Sequence, residues 1–292
     1  MKHRPSRFLF SIAVCIVLLS AAAGCRCSQC SISPLLQNDP PPPATPEESK
    51  ISSLATLRRA FIEKQHVADA IAFEKTLEEN STRFAPEGTP WFTVKKGASR
   101  ILISAPHATH PTRHGELRGF ADPGSGSLAE MLHRLADVTV IYTTYASPSD
   151  PNYYDDNDYK RALAKLLEEE QPLIVLDLHV SNHNRPYDLD IGTMNGHSLH
   201  GADHLAARLL EILREEGMRN FSANYFNAGS PYANEPQTVT RFVSAKGVPC
   251  VQLELNSTWT CAGKSDAHAH RFGQLLQGMI RFIREVNDKE RP

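Results

Sequence analysis

The sequence predicts an α/β protein built in three layers, a mostly parallel mixed sheet covered by helices on both faces. Two observations carry this. Five segments, Arg100–Ala105, Val138–Thr143, Leu173–Leu178, Leu189–Gly192 and Pro249–Leu255, are apolar runs of strand length. Between and after them, at Gly126–Ala136, Asp156–Glu170, Gly201–Glu216, Thr238–Lys246 and Ala267–Asn287, apolar residues recur at helical spacing. Strands that read as continuous apolar runs are buried on both faces, and strands alternating with helices are joined by crossovers lying on the faces of a parallel sheet.

In chain order, residues 1–24 read as a signal peptide. Lys2, Arg4 and Arg7 form a basic start, Phe8 to Leu19 an apolar stretch short for a membrane span, and Ala21-Ala22-Ala23-Gly24-Cys25 a small-residue cleavage site. Small residues followed by Cys25 form a lipobox-like sequence, with Ala22 where leucine is usual, so the expectation is an exported lipoprotein of the bacterial cell envelope, held to the membrane only through its N-terminal lipid. Residues 25–50 hold Cys27, Cys30 and the run Pro40-Pro41-Pro42-Pro43, a stiff spacer. From Ile51, Leu54, Leu57, Phe61, Ala68 and Ile71 follow helical spacing to about Asn80, and one catalytic domain is expected over 51–292.

Composition sets limits on function. A chain of 292 residues with 41% hydrophobic residues can bury a substantial core, and 31 basic against 33 acidic residues give no bias towards nucleic acid. Loss of the leader removes three cations and no acid, leaving 28 basic against 33 acidic residues. There is neither a GxGxxG nor a Walker phosphate loop, which leaves nucleotide-driven chemistry without support. Cys250 and Cys261 either close a disulfide in an oxidising compartment or remain a buried thiol and a loop thiol.

The chemistry gathers at strand ends, where open α/β sheets place their ligands. The segment Leu173–Asn182, LIVLDLHVSN, delivers Asp177 and His179 on one face; the first strand ends at His107 and runs into a loop holding His110, His114, Glu116 and Asp122. In VQLEL, Gln252 and Glu254 alternate with apolar neighbours, and a carboxylate within an apolar strand needs a partner or a task. A catalytic zinc takes three protein ligands and leaves a position for water. His107 and His179 supply the histidines, Asp122 or Glu116 the acid, and Glu254 the proton shuttle. Glu116 lies nearer His107 in sequence, whereas Asp122 sits just before a helix start, where the backbone is better fixed. Asp177 can orient His179 from behind. An acidic amide substrate calls for an arginine: Arg185 is the first candidate and Arg241 the second, with Arg113 and Arg118 in the histidine-rich loop, while Asn152 can line the mouth. Asp155, Asp156 and Asp158 read as solvated helix-start charges.

The order of PHATH, an acid followed by GSGSLA, SDPNYYD, LDLHVSN, DLDIGTMNG and VQLELN resembles the N-formylglutamate amidohydrolase family, over residues 98 to 283. The resemblance implies a phosphorylase/hydrolase-like α/β/α sandwich, zinc as cofactor, and hydrolysis of an amide bond in a small carboxylate-bearing N-acyl amino acid. It places His107 and His179 as metal ligands and Glu254 as general base. Two features depart from the family: the loop PHATHPTRHGELRG replaces a short PHSG-type turn, and export fits poorly with cytoplasmic histidine breakdown. An exported zinc carboxypeptidase or peptidoglycan-peptide amidase is therefore the rival reading, and a non-catalytic lipid-anchored binding protein the reading of a different class.

Overall fold

A computed structural model describes residues 61–226, 228–229 and 237–289. The expected leader, the spacer and the first ten residues of the expected catalytic domain lie outside the described residues. No helix among the described residues is long and apolar enough to cross a membrane.

The chain runs α1 (Lys64–Asn80), β1 (Phe92–Lys95), β2 (Ile101–Ala105), β3 (Thr112–Arg113), β4 (Glu116–Leu117), α2 (Ser125–Ala136), β5 (Thr139–Thr143), α3 (Asp158–Glu170), β6 (Ile174–Ser181), β7 (Leu189–Gly192), α4 (Asp203–Glu215), β8 (Phe221–Ala223), α5 (Val239–Ser244), β9 (Cys250–Asn256), α6 (Ser257–Thr260) and α7 (Asp266–Lys289). Seven strands form one sheet in the order β1-β5-β2-β6-β9-β7-β8. The four central strands, β5, β2, β6 and β9, are parallel, and β7 and β8 are parallel to each other. β1 joins β5 antiparallel, and β7 joins β9 antiparallel.

Period-two alternation sorts each central strand onto two cores. Ile101, Ile103, Leu176, Leu178, Val251 and Leu253 pack against α1, α2, α4 and α7. Leu102, Ile141, Val175 and Cys250 pack on the other side against Tyr159, Leu163 and Leu167 of α3 and Val239 and Val243 of α5. The result is the three-layer α/β/α sandwich. Helix ends follow ordinary chemistry: the Asn157 side chain accepts from the Lys160 N–H at the start of α3, and Asp137 and Gln171 take left-handed conformations after α2 and α3.

Several elements depart from the sequence expectation, among them the short helix α6. β1 is a four-residue antiparallel edge strand whose side chains are not fully buried, so FTVK lacks the apolar-run signature. β8 has three residues, too few to show periodicity. The loop after His107 contains the β3–β4 hairpin, with His114 and Gly115 in its turn at φ 54° and 81°.

Candidate metal centre

On the face that carries α3 and α5, each strand changes character along its length. Val175, Asp177 and His179 share that face of β6, and Cys250, Gln252 and Glu254 share it on β9; the parallel register sets these residues side by side, pair by pair. The apolar pair packs under α3 and α5. The polar pairs lie farther toward the carboxyl ends, where Asp177 still accepts from Thr240 Oγ1 of α5 at 3.3 Å.

His107 lies two residues past the end of β2, and its backbone carbonyl accepts from the Asp122 N–H at 2.7 Å, closing the intervening loop at its base. Asp122 is held again by the start of α2. Gly124, two residues on, has φ 87°, and a Cβ there would stand 2.3 Å from the Thr260 carbonyl oxygen, so only glycine permits this close approach. Its N–H donates to Glu74 Oε1 at 2.8 Å, which fixes the turn against α1.

These constraints bring His107, Asp122 and His179 together, all buried, with one ligand-capable atom of each within 4.8 Å of the others. Asp122 Oδ2 lies 2.9 Å from His179 Nδ1 and 3.6 Å from His107 Nδ1. The outer nitrogens face other carboxylates: His107 Nε2 is 2.8 Å from Asp150 Oδ1, and His179 Nε2 is 3.4 Å from Asp177 Oδ2, at ion-pair distance without hydrogen-bond alignment. Each imidazole is thus backed by an acid on Nε2 and turns Nδ1 inward, the arrangement that orients histidine ligands in metal sites.

Charge explains how such a site stays folded. Burial pulls the His107 pKa down, but Asp150 and Asp122 outweigh it and raise the value to about 9. His179 likewise overcomes burial through Asp177 and Asp122 and rises well above the ordinary range. Burial pushes Asp122 up, yet the two imidazoles bring it below the usual carboxylate range. Two protonated histidines around one carboxylate carry the charge that a dication would bring. Ligands of a tetrahedral zinc with bonds of about 2 Å stand roughly 3.3 Å apart. The spacings at Asp122 and the hard–borderline donor set of two nitrogens and an oxygen fit such an ion.

Glu254 adjoins His179 across the β6–β9 ladder and is partly open to solvent. Burial pushes its carboxyl up to about 7 against the pull of His179 and His107, with Asp122 and Asp190 adding to the rise. Gln252 Nε2 donates to its Oε1 at 3.0 Å and fixes its orientation. Behind Asp150 and Asp177 lies the fully buried Lys160, which donates to Asp155 Oδ1 at 2.6 Å and to the Gln237 carbonyl. Burial lowers its pKa, and Asp155 opposes that, followed by Asp177 and Asp150.

Of the two acids left open by the sequence, the structure brings Asp122 to the histidines; Glu116 is exposed on β4 and stands outside the group. His110 instead meets Ser81 Oγ at 2.7 Å, and His114 is exposed in the hairpin turn. Asp155 is not merely a solvated helix-start charge, since it partners Lys160. Arg185 is half-buried, donates to Tyr225 Oη at 3.3 Å and stacks on Phe226 at 4.9 Å. Asn152 ties the Asp150 loop to α5 by accepting from the Val239 N–H at 2.7 Å, and Arg241 lies on α5 with partners of its own. Cys250 and Cys261 are buried free thiols; Cys250 contacts Thr240 and Cys261 the Pro123 carbonyl, so the disulfide alternative is not realised. Sequence reasoning missed Asp150. Its segment Ser149-Asp150-Pro151-Asn152 reads as turn chemistry, and only the fold puts it behind His107.

Neither protein-family models nor curated proteins match the chain. Solved structures similar to it include an N-formylglutamate amidohydrolase from Ralstonia eutropha, at 17% identity over 67% of this chain and 98% of that one, with a TM-score of 0.46. A bacteriophage poly-gamma-glutamate hydrolase is similar at 15% identity over 70% of this chain and 91% of that one, with a TM-score of 0.42. A metallo-carboxypeptidase from Pseudomonas aeruginosa is similar at 13% identity over 68% of this chain and 66% of that one, with a TM-score of 0.40. At these identities and TM-scores the likenesses assign this chain no activity. The solved structures to which this chain is similar thus include a member of the family that its motif order resembles.

Proposed function

We propose that this protein is a zinc-dependent hydrolase that cleaves an amide bond in a small N-acyl amino acid bearing a carboxylate. The observation that carries the reading is the convergence of buried His107, Asp122 and His179 beside Glu254, a carboxylate whose pKa is pushed up to about 7. His107 Nδ1, His179 Nδ1 and an Asp122 oxygen would hold the ion, with Asp150 hydrogen-bonded behind the first ring and Asp177 at ion-pair distance behind the second. A bound zinc supplies Lewis acidity and brings the pKa of water to about 7.

The chain's own residues then divide the work. Glu254, whose carboxyl burial pushes up to about 7, accepts the proton of the attacking water and passes it to the leaving nitrogen. Gln252 keeps the Glu254 carboxylate turned to the site through its 3.0 Å hydrogen bond. Arg185, held flat by Tyr225 and Phe226, binds a substrate carboxylate. The basic and apolar leader with Cys25 supports a reading in which this activity lies outside the cytoplasm on a lipid anchor.

The deciding experiment compares the wild type with Glu254→Gln on a panel of N-acyl amino acids and cell-wall peptides. Zinc content unchanged with turnover reduced by orders of magnitude is the expected result. Undiminished turnover removes Glu254 as base, and cleavage of cell-wall peptides alone moves the substrate to the rival class. Bound metal with no hydrolysis of either panel would leave a binding protein.

A further inference from the structure

We propose that Arg113 and Arg118 form a second carboxylate-binding subsite, on the β2 side of the centre and separate from Arg185. The substrate then carries an acid group on each side of the amide that is cut. This rests on the hydrolase reading above and extends it to the substrate's shape.

Arg113 ends β3, and its Nε donates to Asp150 Oδ2 at 2.5 Å. Its guanidinium lies 4.5 Å above the Tyr153 ring. Nε contact and ring stacking fix the plane, yet among the described residues its two terminal nitrogens donate no hydrogen bond, and the side chain is 22% exposed. A guanidinium anchored by Nε presents its other edge as a preformed fork for a carboxylate. Asp150 cannot fill that role, since its other oxygen already serves His107 Nε2 and the Asn152 N–H.

Arg118 leaves the same hairpin. It is half-buried, lies 4.3 Å over the Phe120 ring, and among the described residues forms no ion pair. Burial and the neighbouring Arg113 charge both work against its protonated form, with Asp150 opposing them. The Asp150 carboxylate that Arg113 holds is thus also committed to His107, and Arg118 has no carboxylate of its own among the described residues. An incoming anion would balance the excess.

Strand order separates this pair from Arg185. The hairpin leaves β2, whereas Arg185 precedes β7 and stacks on residues that follow β8; β6 and β9, which carry His179 and Glu254, run between β2 and β7. A substrate long enough to pass the His107–Asp150 pair and span the strand ends would meet a cation on either side of the centre. The subsite also sits in the expanded histidine-rich loop, where the sequence departs from the family that it resembles.

The test uses zinc-loaded full-length Glu254→Gln protein and calorimetric titration with three probes. N-succinylglycine carries a carboxylate on both sides of its amide, N-butanoylglycine only on the amine side, and N-methylsuccinamic acid only on the acyl side. N-succinylglycine should bind at least tenfold more tightly than either mono-acid. Arg118→Gln and Arg113→Lys should each abolish the advantage over one mono-acid, and Arg185→Lys the advantage over the other. Equal binding of all three probes, or loss of the same arm by both sets of variants, overturns the subsite. If Arg113→Lys disturbs folding, Arg118→Gln decides alone. The readout needs no turnover, so an inactive wild type with the arms intact defeats the hydrolase reading and keeps the subsite, whereas an active wild type without them does the reverse.

Discussion

Asp150→Asn probes the part of the centre that only the fold reveals. The side chain keeps its shape, but one oxygen becomes an NH2 group. Asp150 is fully buried and accepts from His107 Nε2 and the Asn152 N–H at 2.8 Å each and from Arg113 Nε at 2.5 Å. In either orientation of the amide, a donor now meets a donor, and one charge-assisted hydrogen bond of about 1.5–3 kcal/mol is lost. The His107 ring loses the carboxylate that orients it, and metal affinity should fall about 10–100-fold. The pH profile gives a second reading. A bound ion needs neutral imidazoles, so binding must displace the protons of His107 and His179, and affinity climbs with pH through the His107 value of about 9. In the variant the His107 value falls back towards its ordinary range, and the climb becomes shallower above that range. Competition against a fluorescent chelator between about pH 6 and pH 9 measures both. Affinity within twofold of wild type across that range, in a folded variant, would refute the assignment of Asp150 as the support of His107.

Three further outcomes are expected. In the metal-free protein His107 moves on folding from 6.5 to about 9, so it contributes about 3 kcal/mol that is fully present below pH 6.5 and lost as pH rises through 9; His179 shifts the same way. Urea unfolding of metal-free protein should therefore show stability falling over that window, and a rise there would contradict the charge balance described. Gly124→Ala forces a Cβ against the Thr260 carbonyl at positive φ and should cost about 2–5 kcal/mol in chemical denaturation; a cost under about 0.5 kcal/mol would show that the turn can relax. Asp122→Asn should abolish stoichiometric metal binding while Glu116→Gln leaves it intact, since Glu116 is exposed on the hairpin; metal analysis giving the opposite ranking would restore Glu116 as the ligand.

The central sheet was legible because its strands are largely buried on both faces and read as short, mostly apolar runs: Leu189–Gly192 is found within its expected bounds, and the β2, β5, β6 and β9 segments shift by a few residues at most. Antiparallel pairing of β7 leaves no such mark, because the direction of a strand is set by its connections. Asp177 could be placed behind His179 from alternation alone, since two residues along a strand return to one face. Asp122 could only be favoured over Glu116, because the choice depends on a loop closed by its own backbone hydrogen bond to His107. Asp150 was hidden for a different reason. It lies 43 residues from His107, in a segment whose composition announces a turn, and no local pattern encodes that meeting.

The most direct measurement of the central claim is the metal content per chain of purified full-length protein, stripped by chelator and dialysed against zinc. One zinc per chain in the wild type, lost in His179→Ala with the fold retained, is the predicted result. A wild type that binds no stoichiometric metal, or a His179→Ala variant that keeps its zinc in full, would contradict it.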